Sequence, residues 1–236
     1  MKENLKPPLL IVNLKTYDSG TGKNSESIVK ICGKLAAATG KTVISAVQTA
    51  DIYRAAKAAE NSAKGKKGKK AAVFAQHIDT VLPGRNTGFT TAESVKKAGA
   101  SGTIINHAEH KIPMPLVKQA VERARKNGLM TVVCAATTKE AEEIAKNCVP
   151  DYIAIEPPEL ISGNMGVSKA KPEIITDTIK AVHKIRKIPI ICGAGISSKE
   201  DAEAAIGLGA SGILVANFVM SAKDKKKAIS ELMEGL

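Results

Sequence analysis

Short aliphatic and β-branched runs alternate along this chain with longer runs rich in Ala, Lys and Glu, whose apolar positions recur at helical spacing. The pattern predicts strands over 8–14, 42–48, 71–76, 102–106, 131–136, 152–156, 188–193 and 212–216. A predicted helix follows each strand, at 24–38, 50–63, 90–99, 114–127, 138–147, 172–186, 198–208 and 222–235. The punctuation agrees. Thr91 and Ser198 stand at helix starts, where a side-chain oxygen can accept from a freed backbone N–H, and Gly40, Gly99, Gly128 and Gly209 follow helix-like runs.

The predicted strands are nearly continuous apolar runs, as expected where both faces of a parallel sheet are covered. Eight strand–helix units in 236 residues close most simply into an α/β (β/α)8 barrel, a single domain over 1–236, since such barrels run to about 250 residues. An open doubly wound sheet is the rival. It would call for a G-x-G-x-x-G after the first strand, which is lacking, and would leave the near-equal repeats unexplained. A parallel barrel gathers the carboxyl ends of its strands around one mouth. The segments LLIVNLK (9–15), GTIINHAEH (102–110), YIAIEPPE (152–159) and PIICGAGIS (189–197) place polar residues where strands run out, so they can share one site.

Composition narrows the class further. With 44% hydrophobic residues the chain can bury one large core, and no apolar run reaches the roughly 18 residues of a membrane helix. PPLLIV (7–12) is too short, and too soon followed by Asn13 and Lys15, for a signal peptide. The expectation is a soluble cytoplasmic protein with no membrane partner. Cys32, Cys134, Cys148 and Cys192 show no C-x-x-C spacing and read as reduced structural thiols. A net charge of +12 raises nucleic acid as a partner. The lysines, however, are spread over most helices, aromatic residues are 3% of the chain, and KGKKGKK (64–70) reads as a solvated connector. No nucleic-acid partner is expected. The charge would still steer a small dianion toward the protein.

Three residues at strand ends carry candidate chemistry. Glu156 closes YIAIE and precedes Pro157-Pro158, so a partly desolvated carboxylate could serve there as a general base, or could simply pair with a neighbouring cation. His107 follows TIIN and should enter a helical turn whose positive end disfavours protonation; a structural, hydrogen-bonded histidine is the alternative. Lys15 follows Asn13 at the end of the first strand, facing the same mouth. Singly, each signal is weak.

Together, Asn-x-Lys on the first strand, Asn-His-x-Glu on the fourth and Glu-Pro-Pro-Glu on the sixth resemble triosephosphate isomerase over residues 8–236. The NHAEH and EPPELI segments look like the archaeal branch of that family. The resemblance implies interconversion of glyceraldehyde 3-phosphate and dihydroxyacetone phosphate through an enediolate, in glycolysis and gluconeogenesis, with no metal and no organic cofactor. It gives Glu156 the proton transfer, neutral His107 a hydrogen bond to the substrate oxygen, and Lys15 the substrate's negative charge. Asn13 would orient Lys15, and Glu109 would be the supporting carboxylate. The phosphate would rest on backbone N–H groups of a lid (157–171) including Ile161 and Ser162, of the CGAGIS turn with Gly195, and of Ala216 and Asn217 after the last strand.

Some positions depart from the family pattern. Ser162-Gly163-Asn164 stands where the lid usually carries Gly-Thr-Gly, Ala108 replaces a serine beside the histidine, and Asn217-Phe218 adds bulk near the phosphate. The expected consequence lies in phosphate affinity rather than in proton transfer. The resemblance also implies a homo-oligomer, a homodimer or homotetramer, joined through the third-strand loop around Gln76 to Thr91, with GRNTGF (84–89) as the candidate interface segment. Another phosphate-binding barrel enzyme would share the late glycine turns but need different residues on strands one, four and six. A non-catalytic relative would bind triose phosphates without turning them over.

Overall fold

The computed structural model describes residues 5–62, 71–157 and 171–236. Within them, eight parallel strands pair in sequence order and close on themselves. They are β1 (Leu9–Asn13), β2 (Thr42–Val47), β3 (Ala72–Ala75), β4 (Gly102–Ile105), β5 (Met130–Ala135), β6 (Tyr152–Ile155), β7 (Ile190–Cys192) and β8 (Gly212–Val215). β8 closes against β1, with Leu9 opposite Gly212 and Val12 opposite Val215. The predicted (β/α)8 barrel is what forms.

Helices α1 (Lys23–Thr39), α2 (Ile52–Ser62), α3 (Ala92–Lys97), α4 (Met114–Lys126), α5 (Thr138–Asn147), α6 (Pro172–Ile185) and α7 (Lys199–Gly207) lie between strands. Thr91 Oγ1 accepts from the Ser94 N–H at 3.1 Å and Ser198 Oγ from the Asp201 N–H at 3.2 Å, as the capping pattern predicts. Gly40 and Gly128 adopt φ of 70° and 66°, a left-handed conformation that glycine enters without the steric penalty of a side chain. One element differs from expectation. A short α8 (Asn217–Ser221), not expected, precedes the last helix and ends where Ala222 is extended; the helix expected over 222–235 forms as α9 (Lys225–Glu234), capped by Asp224, whose side chain accepts from the Lys227 N–H at 2.9 Å.

Every strand residue is buried, which explains the uninterrupted apolar runs. Alternation then sorts them into two layers. Leu9, Ile11, Ile44, Phe74, Ile104 and Val132 fill the barrel interior, whereas Leu10, Val12, Val43, Val73, Ile105 and Val133 pack in the layer shared with the helices. Phe74 fills the space in front of Gly102, its register partner, where a Cβ would lie 2.4 Å from the ring. Carried past the strand ends, the same inward parity brings Asn13, Gln76, Glu156, Gly193 and Ala216 to one mouth.

All four cysteines are buried and unpaired, in keeping with structural thiols. Among the described residues, no helix is long and apolar enough to cross a membrane. The basic connector 64–70 and lid residues 158–170 lie outside the described residues.

Candidate active site

Lys15 owes its direction to a tight turn. β1 ends at Asn13, and Lys15 adopts φ 45°, a region that costs a non-glycine residue about 1 kcal/mol or more. The turn is held from both sides: the Lys15 N–H donates to Asn13 Oδ1 at 3.0 Å, and the Gln76 amide donates to the Lys15 carbonyl at 2.9 Å. Gln76 Nε2 also lies 3.3 Å from Asn13 Oδ1 and 3.2 Å from the Ala46 carbonyl, so one amide ties β1, β2 and β3 together. Lys15 Nζ then reaches Glu109 Oε1 at 2.7 Å, across the mouth.

His107 follows Asn106, itself at φ 61°, and opens a turn closed by the His110 N–H on the His107 carbonyl at 2.8 Å. The Glu109 N–H donates to His107 Nδ1 at 3.2 Å. A nitrogen that accepts cannot carry the proton, so the neutral ring keeps it on Nε2, the atom that faces the mouth. Burial lowers the pKa of the ring more than the Glu109 carboxylate raises it, and Lys15 and Lys111 push it further down. The turn is a single one and does not continue as a helix, since the next helix begins at Met114, so burial and a local amide do what was expected of a helix terminus.

Glu156 lies just past β6, its N–H bonded to the Ala135 carbonyl at 2.8 Å. It is only 2% exposed, and Oε1 sits 3.5 Å from His107 Nε2. Among the described residues, its buried Oε2 has no hydrogen-bond partner. Burial pushes the carboxyl up to about 7, against the smaller opposing influences of the Cys134 thiol, Lys15 and Lys111. A carboxylate in such a setting binds a proton readily at neutral pH.

Lys15, His107, Glu109 and Glu156 line one cavity of about 540 Å³ together with Gly193–Ser197 and Leu214–Phe218. Gly195, Ala216 and Asn217 are therefore brought to it as predicted. Asn13 lines an adjoining cavity of about 460 Å³ with Lys15, Gln76 and His107. Ile161 and Ser162 lie outside the described residues. Sequence reasoning gave no site role to Gln76 or Asn106, although the inward parity of Gln76 just past an apolar strand was a readable signal.

The family model described as triosephosphate isomerase matches residues 8–233. The chain belongs to the triosephosphate isomerase family. It is 40% identical to the triosephosphate isomerase of Methanobacterium bryantii over 234 residues, covering 99% of both chains. It is 39% identical to that of Methanocaldococcus jannaschii over 227 residues, covering 96% of this chain and 99% of the other. Kinship with archaeal triosephosphate isomerases agrees with the reading of NHAEH and EPPELI. A solved triosephosphate isomerase from Bartonella henselae superposes with a TM-score of 0.68, over 98% of this chain and 97% of that one; at 18% identity, what they share is the fold.

Proposed function

We propose that the protein interconverts glyceraldehyde 3-phosphate and dihydroxyacetone phosphate through an enediolate, with Glu156 moving the proton. The observation that carries this reading is the convergence of Glu156 Oε1 and His107 Nε2, 3.5 Å apart, on a cavity that Lys15 also lines. The Glu156 carboxylate takes a proton from the carbon beside the carbonyl. The C–H electrons become the C=C bond, and the carbonyl oxygen becomes an enediolate oxygen that accepts from His107 Nε2–H. Glu156 then returns the proton to the neighbouring carbon. A base with a pKa of about 7 is matched to both halves of this exchange at neutral pH.

The pairing of a carboxylate base with a neutral histidine is one for which this family is known. Here burial and the Glu109 amide supply the histidine's neutrality and tautomer. Lys15 offsets the substrate's negative charge, and its ion pair with Glu109 holds it over the mouth. The proton moves within one substrate, so the reaction calls for no external oxidant or reductant, no metal and no organic cofactor. Gly195, Ala216 and Asn217 border the same cavity and would hold the phosphate through backbone N–H groups. The 157–171 segment, with Ile161 and Ser162, would act as a lid that shields the enediolate from water and from loss of phosphate.

The same reading assigns the protein to the cytoplasm, to glycolysis and gluconeogenesis, and to a homodimer or homotetramer. What supports assembly is the loop containing Gly84–Phe89. Its base is fastened by Asp79 and Thr90 through bonds of 2.8 and 2.7 Å, and it presents Leu82 and Phe89 at 65% and 54% exposure.

The test is turnover of glyceraldehyde 3-phosphate by the purified protein beside its Glu156→Gln variant. Fast turnover that disappears in the variant establishes reaction and base together. Folded wild-type protein without turnover would overturn the proposal.

A further inference from the structure

We infer that Asn106 is a positioning residue for His107, acting through its side chain and not only through its backbone conformation. Asn106 is 2% exposed and lies immediately before His107, yet it is not among the described residues lining either cavity beside the site. Its φ of 61° is one that glycine would adopt more easily, with asparagine among the few other residues that tolerate it. Backbone conformation alone therefore does not call for asparagine.

The side chain is fully engaged. Nδ2 donates to the Cys134 carbonyl at 2.9 Å and to Glu140 Oε1 at 2.8 Å, while Oδ1 accepts from the Ile112 N–H at 3.1 Å. These bonds fasten both ends of the 106–112 turn, the segment that carries His107 and Glu109. Glu140 is itself fixed, with Oε2 accepting the Ala136 N–H at 2.7 Å and Oε1 meeting Lys111 Nζ at 2.7 Å. Burial would raise the pKa of the Glu140 carboxyl, but Lys111, the Ala136 N–H and Asn106 together hold it below its ordinary value, so the brace stays charged.

The brace also refers both reacting groups to one strand. Asn106 holds the histidine turn to the Cys134 carbonyl on β5, and the thiol of the same residue interacts with Glu156. Losing the Asn106 side chain would leave the barrel closed and the turn free to shift against Glu156. A misplacement of about 1 Å can lower turnover on the order of a hundredfold.

This inference rests on the proposed reaction, so wild-type turnover is measured first and judged separately. Asn106→Gly keeps the backbone conformation accessible and deletes the brace. Its kcat is expected to fall about ten- to a hundredfold with KM changed by less than about threefold. In ¹⁵N spectra, His107 should lose its pure Nε2–H tautomer. Losses from Asn106→Gly and Glu140→Ala should be less than additive in the double variant, because each breaks the same brace. Wild-type kcat together with an unchanged His107 spectrum in folded Asn106→Gly would overturn the inference.

Should Asn106→Gly fail to fold, Glu140→Gln and Glu140→Ala decide. The first keeps an acceptor for Asn106 and the second removes it. A lower kcat only in Glu140→Ala supports the inference, and equal kcat in the two overturns it. Absence of wild-type turnover would overturn the proposed reaction, and the His107 spectrum would still decide the role of Asn106.

Discussion

A methyl group on Gly193 would lie 2.4 Å from Glu156 Cγ, so the carboxylate fits against β7 only because residue 193 has no side chain. The two are also linked through the backbone, the Gly193 N–H donating to the Ile155 carbonyl at 2.9 Å. Gly193→Ala is expected to displace Glu156 while leaving the barrel intact, lowering kcat about tenfold or more. Steady-state kinetics with a thermal unfolding curve check this. An unchanged kcat would mean that the resting position of Glu156 does not govern turnover.

Burial of Glu156 has a sign that can be tested by pH. Its ordinary value is 4.5 and its native value about 7, so between these the native state holds a proton that the unfolded chain has released. Stability therefore falls as pH rises through this window, by roughly 3 kcal/mol at most. Glu156→Gln removes the penalty. The variant should gain stability over wild type at pH 8 and lose that gain near pH 4, read from urea unfolding at both. In the wild type, kcat/KM should rise with pH through about 7 as the base loses its proton. A variant-to-wild-type difference that is flat with pH would contradict the burial argument.

Gln76 touches no reacting atom but supports the strained turn at Lys15. Gln76→Ala should let the ammonium wander and raise KM several-fold, with Gln76→Glu, which loses the donors, behaving alike. Equal KM values in all three proteins would show that Asn13 alone holds the turn.

Asn217 is exposed at the cavity rim and opens α8. If its bulk weakens phosphate binding, Asn217→Ser should tighten a phosphate-bearing enediolate mimic in calorimetry, as should Ser162→Gly in the proposed lid. Unchanged binding in both would clear these positions.

Phe89 tests assembly. Phe89→Glu places a charge on an exposed apolar residue and should shift sedimentation toward a smaller species if the loop is an interface. Identical sedimentation would locate the interface elsewhere.

Much of the fold was legible because its signals are local. The strand–helix alternation, the caps at Thr91 and Ser198 and the glycines after helices depend on neighbours within a few residues. Lys15, His107 and Glu156 were legible as strand-end polar residues carried by recognisable motifs. The short α8 was missed because five residues show too little helical periodicity to read, and α9 was begun too early because Asp224, its cap, was read as helix. The supports were missed for another reason. Gln76 reaches Lys15, and Asn106 reaches Glu140, across strands remote in sequence.

By itself, then, the sequence determined the barrel, the order of its units and the residues that meet at its mouth, since strand period and helical period are properties of adjacent positions. Only the tertiary structure decided how those residues behave. The proton stays on Nε2 of His107 because a neighbouring amide in a folded turn occupies Nδ1. Glu156 holds its proton to about pH 7 because the barrel around it excludes water. Desolvation and hydrogen-bond geometry are set by atoms that closure of the chain brings together, and so cannot be read from spacing along it.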